Sequence, residues 1–332
     1  MPSSMTHTYF GLDTFEKIND NCKDKIQGSM EYFKTFCQGP DVFYFYHLFI
    51  GKNAKIVKNI GSHIHKNDTR KFFITLIHYI HDNNLKNNSS VMSFLYGYIC
   101  HYFLDTVCHP FIFYKTGNFK VKEPATYKYN TLHADMEFFI DRYLIHERER
   151  IEPSKYKIHK QFLNVKNMDK DLKDAINYTF SIFDFDTDKE IKFDKIYLDS
   201  IGDMKKFFRI FNYDYFGLKK EFYSLIDFFT PKWITKVKSL SYRGDHEKKI
   251  SYLNLNKDIW VHPCDKRLKY SYSFMELYDI ALNKCVDAIE KIDEMFCKNK
   301  INDKELRVIF KNLSYATGME CSKNIKMKYF EF

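Results

Sequence analysis

The sequence predicts an all-α fold, on three observations. Apolar residues recur at helical spacing through most of the 332 residues, and no segment shows convincing strand alternation. Gly and Pro, at 11 and 7 residues, are too few to punctuate a chain of many short strands. One stretch, Tyr98–Pro110 (YICHYFLDTVCHP), is apolar on almost every side, the pattern of a buried helix.

Taken in order, residues 11–36 read as two short helices, with Leu12, Phe15, Ile18 and then Ile26, Met30, Phe33 at roughly helical spacing. Gly39-Pro40 breaks the pattern, and Asp41 stands where an N-cap belongs, ahead of an aromatic helix over Val42–Ile50. Its run Phe43–Phe49 reads as core packing more readily than as a contact for acyl chains. After Gly61-Ser62-His63-Ile64-His65, Asp68 or Thr69 opens a helix through Lys71–His81, and the polar loop Asp82–Ser90 ends in a Ser cap. A helix follows over Val91–His109 and is expected to stop at Pro110, whose ring lacks an N–H and crowds the preceding turn. Residues 111–130 look irregular, and a loop of that length usually borders function. The next helix runs from Thr131 to Arg150. Helical periodicity returns near 168–182, 203–228, 272–298 and 302–315.

Two of these helices carry ligand-type side chains in register. His101, Asp105 and His109 recur at i, i+4 and i+8, as do His133, Glu137 and Asp141, so each trio rises along one side of its helix. A carboxylate flanked by imidazoles on a buried helix needs a partner, and zinc accepts both kinds of atom. Taken singly, each helix is a weak signal and is more readily read as a salt-linked surface pair; both lying on apolar helices favours metal. Eight of the 13 His fall between residues 47 and 133, placing any chemistry in the first half. Residues 1–152 are therefore read as a metal-binding helical core and 153–332 as a helical C-terminal part packed on it.

The formal charge of +9 is compatible with anionic partners, lipid head groups or nucleic acid, although the Lys residues are scattered as on any solvated surface. The eight Cys include no CxxC pair, so neither a disulfide framework nor a zinc knuckle is expected. The sequence contains no P-loop and no G-x-S-x-G. The N-terminal residues lack the basic and apolar regions of a secretory signal, and no apolar run is long enough to span a bilayer. The expectation is a cytoplasmic protein, peripheral at a membrane if lipid is its substrate.

The ordered segments THTYF, QGPDVFYFY, IGSHIHKNDTRKFF, GYICHYFLDTVCHPFI and HADMEFFID resemble the zinc-dependent phospholipase C family, which includes bacterial phospholipases C and the N-terminal domain of GPI-specific phospholipase D. The named motifs cover about residues 1–150, and YLNLNKDIWVHP with SFMELYDIAL is a fainter echo of the bacterial C-terminal part. The resemblance implies an all-helical phospholipase C/P1 nuclease-like bundle with a multinuclear zinc site. It implies one Zn2+ held by Asp41, His65, His101 and Asp105, a second by His109, His133 and Glu137, and a third by His7 sharing Asp105. Asp41 would also accept a proton in catalysis, and Asp141 would orient a ligand histidine. Secreted members complete the third site with an N-terminal Trp, which this sequence lacks, so two or three ions are expected. The implied reaction is hydrolysis of a phospholipid to diacylglycerol and a phosphorylated head group by metal-activated water. A P1-type single-strand nuclease or 3′-nucleotidase, or a zinc-binding helical protein without turnover, are the alternatives.

Overall fold

The computed structural model describes residues 4–47, 54–183, 185, 191–231, 234, 236–242 and 251–331. Its helices are α1 (Ser4–Lys17), α2 (Asp20–Ile26), α3 (Met30–Phe36), α4 (Ala54–Lys66), α5 (Thr69–Asp82), α6 (Ser89–Thr116), α7 (Leu132–Glu149), α8 (Lys170–Ser181), α9 (Phe193–Phe211), α10 (Leu218–Phe229), α11 (Phe274–Cys297) and α12 (Asp303–Ile309). Among the described residues the fold is all-α apart from one hairpin that the sequence did not announce. Strands β1 (Trp260–His262) and β2 (Asp265–Tyr270) pair antiparallel, with Trp260 opposite Tyr270, but the ladder shifts register between Val261 and His262. A ladder this short is too brief for alternation to register in the sequence.

The long helix α6 is the axis of the fold. Helices α1, α2, α3, α7, α8 and α11 and strand β1 all pack against it, which is why nearly every side chain from Ser90 to Ile112 is buried. Aromatic rings fill much of this interface: Phe36, Phe72, Phe94, Tyr98, Phe180 and Tyr197 form one contiguous cluster around its first half. Asn88, not a Ser, caps the helix, accepting from Ser90 N and Val91 N at 3.1 Å each.

Pro110 does not end α6. The helix continues to Thr116 and closes on Gly117 at φ +70°, so the irregular stretch expected over 111–130 shrinks to residues 117–123 and a 3-10 helix, Pro124–Tyr129. Gly318 packs directly on this turn: a Cβ added there would lie 2.4 Å from Thr106 O, whose usual donor Pro110 lacks, φ is +61°, and the Gly318 N–H donates to Ser314 O. Burial of Thr106, Cys108, Pro110, Phe111 and Ile112 in the core offsets the lost hydrogen bond.

The aromatic helix expected over Val42–Ile50 is a 3-10 helix, Gly39–Phe45, with Asp41 inside it and not at its cap. Residues 48–50 lie outside the described residues. Phe43 and Phe45 are fully buried and belong to the core. All eight Cys are free thiols. Among the described residues no helix is long and apolar enough to cross a membrane.

Candidate metal centre

Five elements deliver the candidate ligands to one place. Helix α6 supplies His101, Asp105 and His109 along one line, and α7 supplies His133 and Glu137. His7 comes from α1, Asp41 from the 3-10 helix and His65 from the last turn of α4. Gly39, two residues before Asp41, has φ +51°, and a Cβ there would sit 2.4 Å from His101 Cγ. Glycine is what lets the Asp41 segment lie against the His101 ring.

The side chains fall into two groups joined by Asp105. His7, Asp41, His101 and Asp105 each offer an atom within 4.8 Å of the others, and so do His109, His133 and Glu137. Asp105 Oδ1 lies 3.3 Å from His7 Nε2, while Oδ2 lies 3.2 Å from His101 Nε2 and 3.5 Å from His109 Nδ1. Asp41 reaches His65 Nε2 through Oδ1 at 2.9 Å and His101 Nε2 through Oδ2 at 3.7 Å. Glu137 Oε1 is 3.3 Å from His109 Nε2 and 3.0 Å from His133 Nε2. The rings of His7 and His101 stack with centroids 4.3 Å apart. His65 falls outside both groups and touches the first through Asp41.

Hydrogen bonding fixes what these imidazoles can do. His65 Nδ1 lies 2.6 Å from Gly61 O, His101 Nδ1 3.1 Å from Cys37 O and His109 Nδ1 2.8 Å from Tyr315 O. A carbonyl only accepts, so each Nδ1 carries a proton. In the neutral ring each Nε2 then presents a lone pair, and in all three it faces a carboxylate oxygen. Two lone pairs facing each other repel unless a proton or a metal cation lies between them. His101 Nε2, Asp41 Oδ2, Asp105 Oδ2 and His7 Nδ1 are buried and make no hydrogen bond. Unpaired buried atoms of this kind are costly. An imidazole that donates one nitrogen to a backbone carbonyl and aims the other at a carboxylate pair is oriented as metal-ligating histidines are. The residues present fit zinc.

Charge points the same way. Burial pushes the Asp105 carboxyl up, but the rings of His109, His101 and His7 outweigh it and hold Asp105 well below the ordinary carboxylate range. Burial lowers His109, yet Asp105 and Glu137 raise it to about 9. Glu137 is likewise held down, burial opposing and His133 favouring its ionised form. Three carboxylates in so dry a site need positive charge, which protons or a cation can supply.

Within this framework, residues 6–183 match the family described as zinc dependent phospholipase C. The chain belongs to the zinc-dependent phospholipase C family. We found no match among curated proteins or among solved structures.

For this family member, two features of the centre were not foreseen. Asp141 orients no histidine. Its carboxylate instead accepts from Met5 N at 3.1 Å, from Thr6 N and Thr6 Oγ1 at 2.7 Å each, and from the Tyr242 hydroxyl. It holds the first turn of α1, and with it His7, against α7. Tyr315 is the second. Its N–H donates to His65 O at 2.9 Å, its carbonyl orients His109, and its buried ring lies against His65 and His101. Tyr315 acts on His65 and His109 through backbone atoms, which no side-chain pattern reveals. His262, which lies outside this centre, binds Thr317 O through Nε2 at 3.0 Å and accepts from Cys264 N through Nδ1. Residues 1–3 lie outside the described residues, and with them the N-terminal part of the third implied site.

Proposed function

We propose that this protein is a phosphodiesterase of phospholipase C type, which hydrolyses a phospholipid to diacylglycerol and a phosphorylated head group. The observation that carries the reading is the double ligand group joined by Asp105 within the family-matched segment. His101, Asp105, Asp41 and His65 would hold one zinc, His109, His133 and Glu137 a second, and His7 with Asp105 a third. Zinc bound there would lower the pKa of water and neutralise the phosphate oxygens. Asp41 is suited to accept the proton released from that water. One of its oxygens lies 2.9 Å from His65 Nε2, and the other is buried without a hydrogen-bond partner. His133, the most exposed of the set at 24%, marks the side from which a phosphodiester would enter. The remaining ligands are almost dry, which strengthens every charge interaction in the centre.

The test is turnover by the purified zinc-loaded protein on phosphatidylcholine vesicles and, in parallel, on single-stranded DNA. Release of diacylglycerol and a phosphorylated head group supports the reading. Cleavage of DNA without lipid hydrolysis would assign the centre to the P1-type nuclease branch, and zinc without either activity to a binding role.

A further inference from the structure

The family match stops at residue 183, and α10 lies beyond it, mounted the reverse of an ordinary surface helix. Its inward side is Tyr223 and Asp227, both buried. Asp227 accepts from Val237 N at 2.7 Å and Lys238 N at 2.8 Å, pinning the helix to the segment that follows. Its apolar residues point the other way. At 100° per residue, Leu218, Phe222, Leu225, Ile226 and Phe229 fall within one arc of about 100°. Leu218, Phe222 and Phe229 are 73%, 60% and 75% exposed, and Phe216, just ahead of the helix, is 80% exposed. An apolar face of this extent marks an interaction surface.

Charge identifies the occupant. Between residues 205 and 240 the chain carries eight Lys or Arg against three Asp or Glu. Two of the three acids, Asp214 and Asp227, are buried and spent on backbone N–H groups. Lys206 is paired with Asp203, just ahead of this window, and the chain flanking the apolar arc still keeps a cationic excess, the combination that lies in the plane of an anionic bilayer surface. Position agrees. The segment leaving α10 is fastened along α7: Asn130 Nδ2 donates to Ile234 O at 2.7 Å, Arg142 Nη1 to Ser241 O at 3.0 Å, and the Tyr242 hydroxyl to Asp141. Asn130 precedes His133, the most exposed candidate ligand, by about one turn. At 12 residues α10 can lie in an interface but not cross it.

We propose that α10 is an interfacial helix that docks the protein on an anionic phospholipid surface by inserting Leu218, Phe222, Leu225 and Phe229 at the level of the head groups. The choice of lipid rests on the phospholipase C reading, but the docking itself requires no turnover. The test is co-sedimentation of the full chain with vesicles of phosphatidylcholine mixed with phosphatidylserine. The protein is expected to sediment, less so in high salt or with phosphatidylcholine alone. Replacing both exposed rings, Phe222→Ser with Phe229→Ser, should weaken vesicle partitioning by roughly 100-fold. Its melting temperature, its zinc content and its rate on monomeric short-chain phosphatidylcholine should stay those of the parent. His109→Ala should sediment like the parent, so a failure of catalysis remains separate from a failure of docking. A parent protein that stays in the supernatant, or a double variant that sediments equally well, overturns the proposal. So does a parent protein that elutes as a dimer where the double variant elutes as a monomer, because the face would then be a contact between copies.

Discussion

Asp105 is the residue on which the two ligand groups depend. It faces His7 with one oxygen and both His101 and His109 with the other, whereas His109 bonds outward to Tyr315 and Glu137. Asp105→Asn is therefore expected to lower bound zinc by more than one ion per chain, and His109→Ala by one, as read by elemental analysis of the purified proteins. Equal losses in both would mean that Asp105 does not bridge. Gly39 makes a second prediction at this scale. Ala there must adopt φ +51° and drive its Cβ into the His101 ring, a strain of about 1–3 kcal/mol before any clash is counted. Gly39→Ala should melt at lower temperature and lose the zinc that His101 would hold, while the His109, His133 and Glu137 group stays loaded. At this scale much was readable: i, i+4 spacing puts side chains on one helix line wherever the helix packs. Tyr315 was not, because it contributes a carbonyl that every residue possesses.

At the scale of elements, α1 is placed by α7. Asp141 takes up two N–H groups of the first turn of α1, donors that have no partner within that helix. Asp141→Ala leaves those donors and the Tyr242 hydroxyl buried and unmatched, at a cost of about 1–3 kcal/mol for each unsatisfied group. The expected outcome is a clear fall in melting temperature together with weaker zinc retention at His7, measured by titration with a chelating dye. A variant that melts like the parent would show that α1 is held by its packing alone. The helices themselves were legible where their apolar period is long, as in α7 and α11. Pro110 misled because local sterics argue for a stop, whereas the burial of the turn around it in the core keeps α6 running. The Asp41 turn misled in the other direction, since a cap and a 3-10 helix share Gly-Pro-Asp as an opening. For α10, periodicity reveals an apolar face but carries no sign for inward or outward.

For the whole molecule, the ligand side chains bind α1, the 3-10 helix, α4, α6 and α7 to a common point. Removing the ions should therefore loosen the fold as well as stop any chemistry. At free zinc a thousandfold above Kd, each site adds about 4 kcal/mol of stability. Dialysis against a strong chelator is expected to lower the unfolding temperature by many degrees, and zinc, but not magnesium, should restore it. A melting curve that does not respond to chelation would leave the buried carboxylates balanced by protons alone. The division of the chain at residue 152 drawn from His content is a statement about where ligands lie. The family match passes it, to residue 183, and Tyr315 returns to the first part from far beyond it.

That return has a consequence for biosynthesis. A chain emerges N-terminus first, and its early helices can begin to pack as they appear. His65, His101, His109, His133 and Glu137 are all made well over 150 residues before the carbonyl that aims His109, which belongs to residue 315. On a translating ribosome the centre would remain half-assembled until late in synthesis. Zinc acquired early would sit in a site still lacking one of its supports, and the final clasp would come only once residue 315 has emerged.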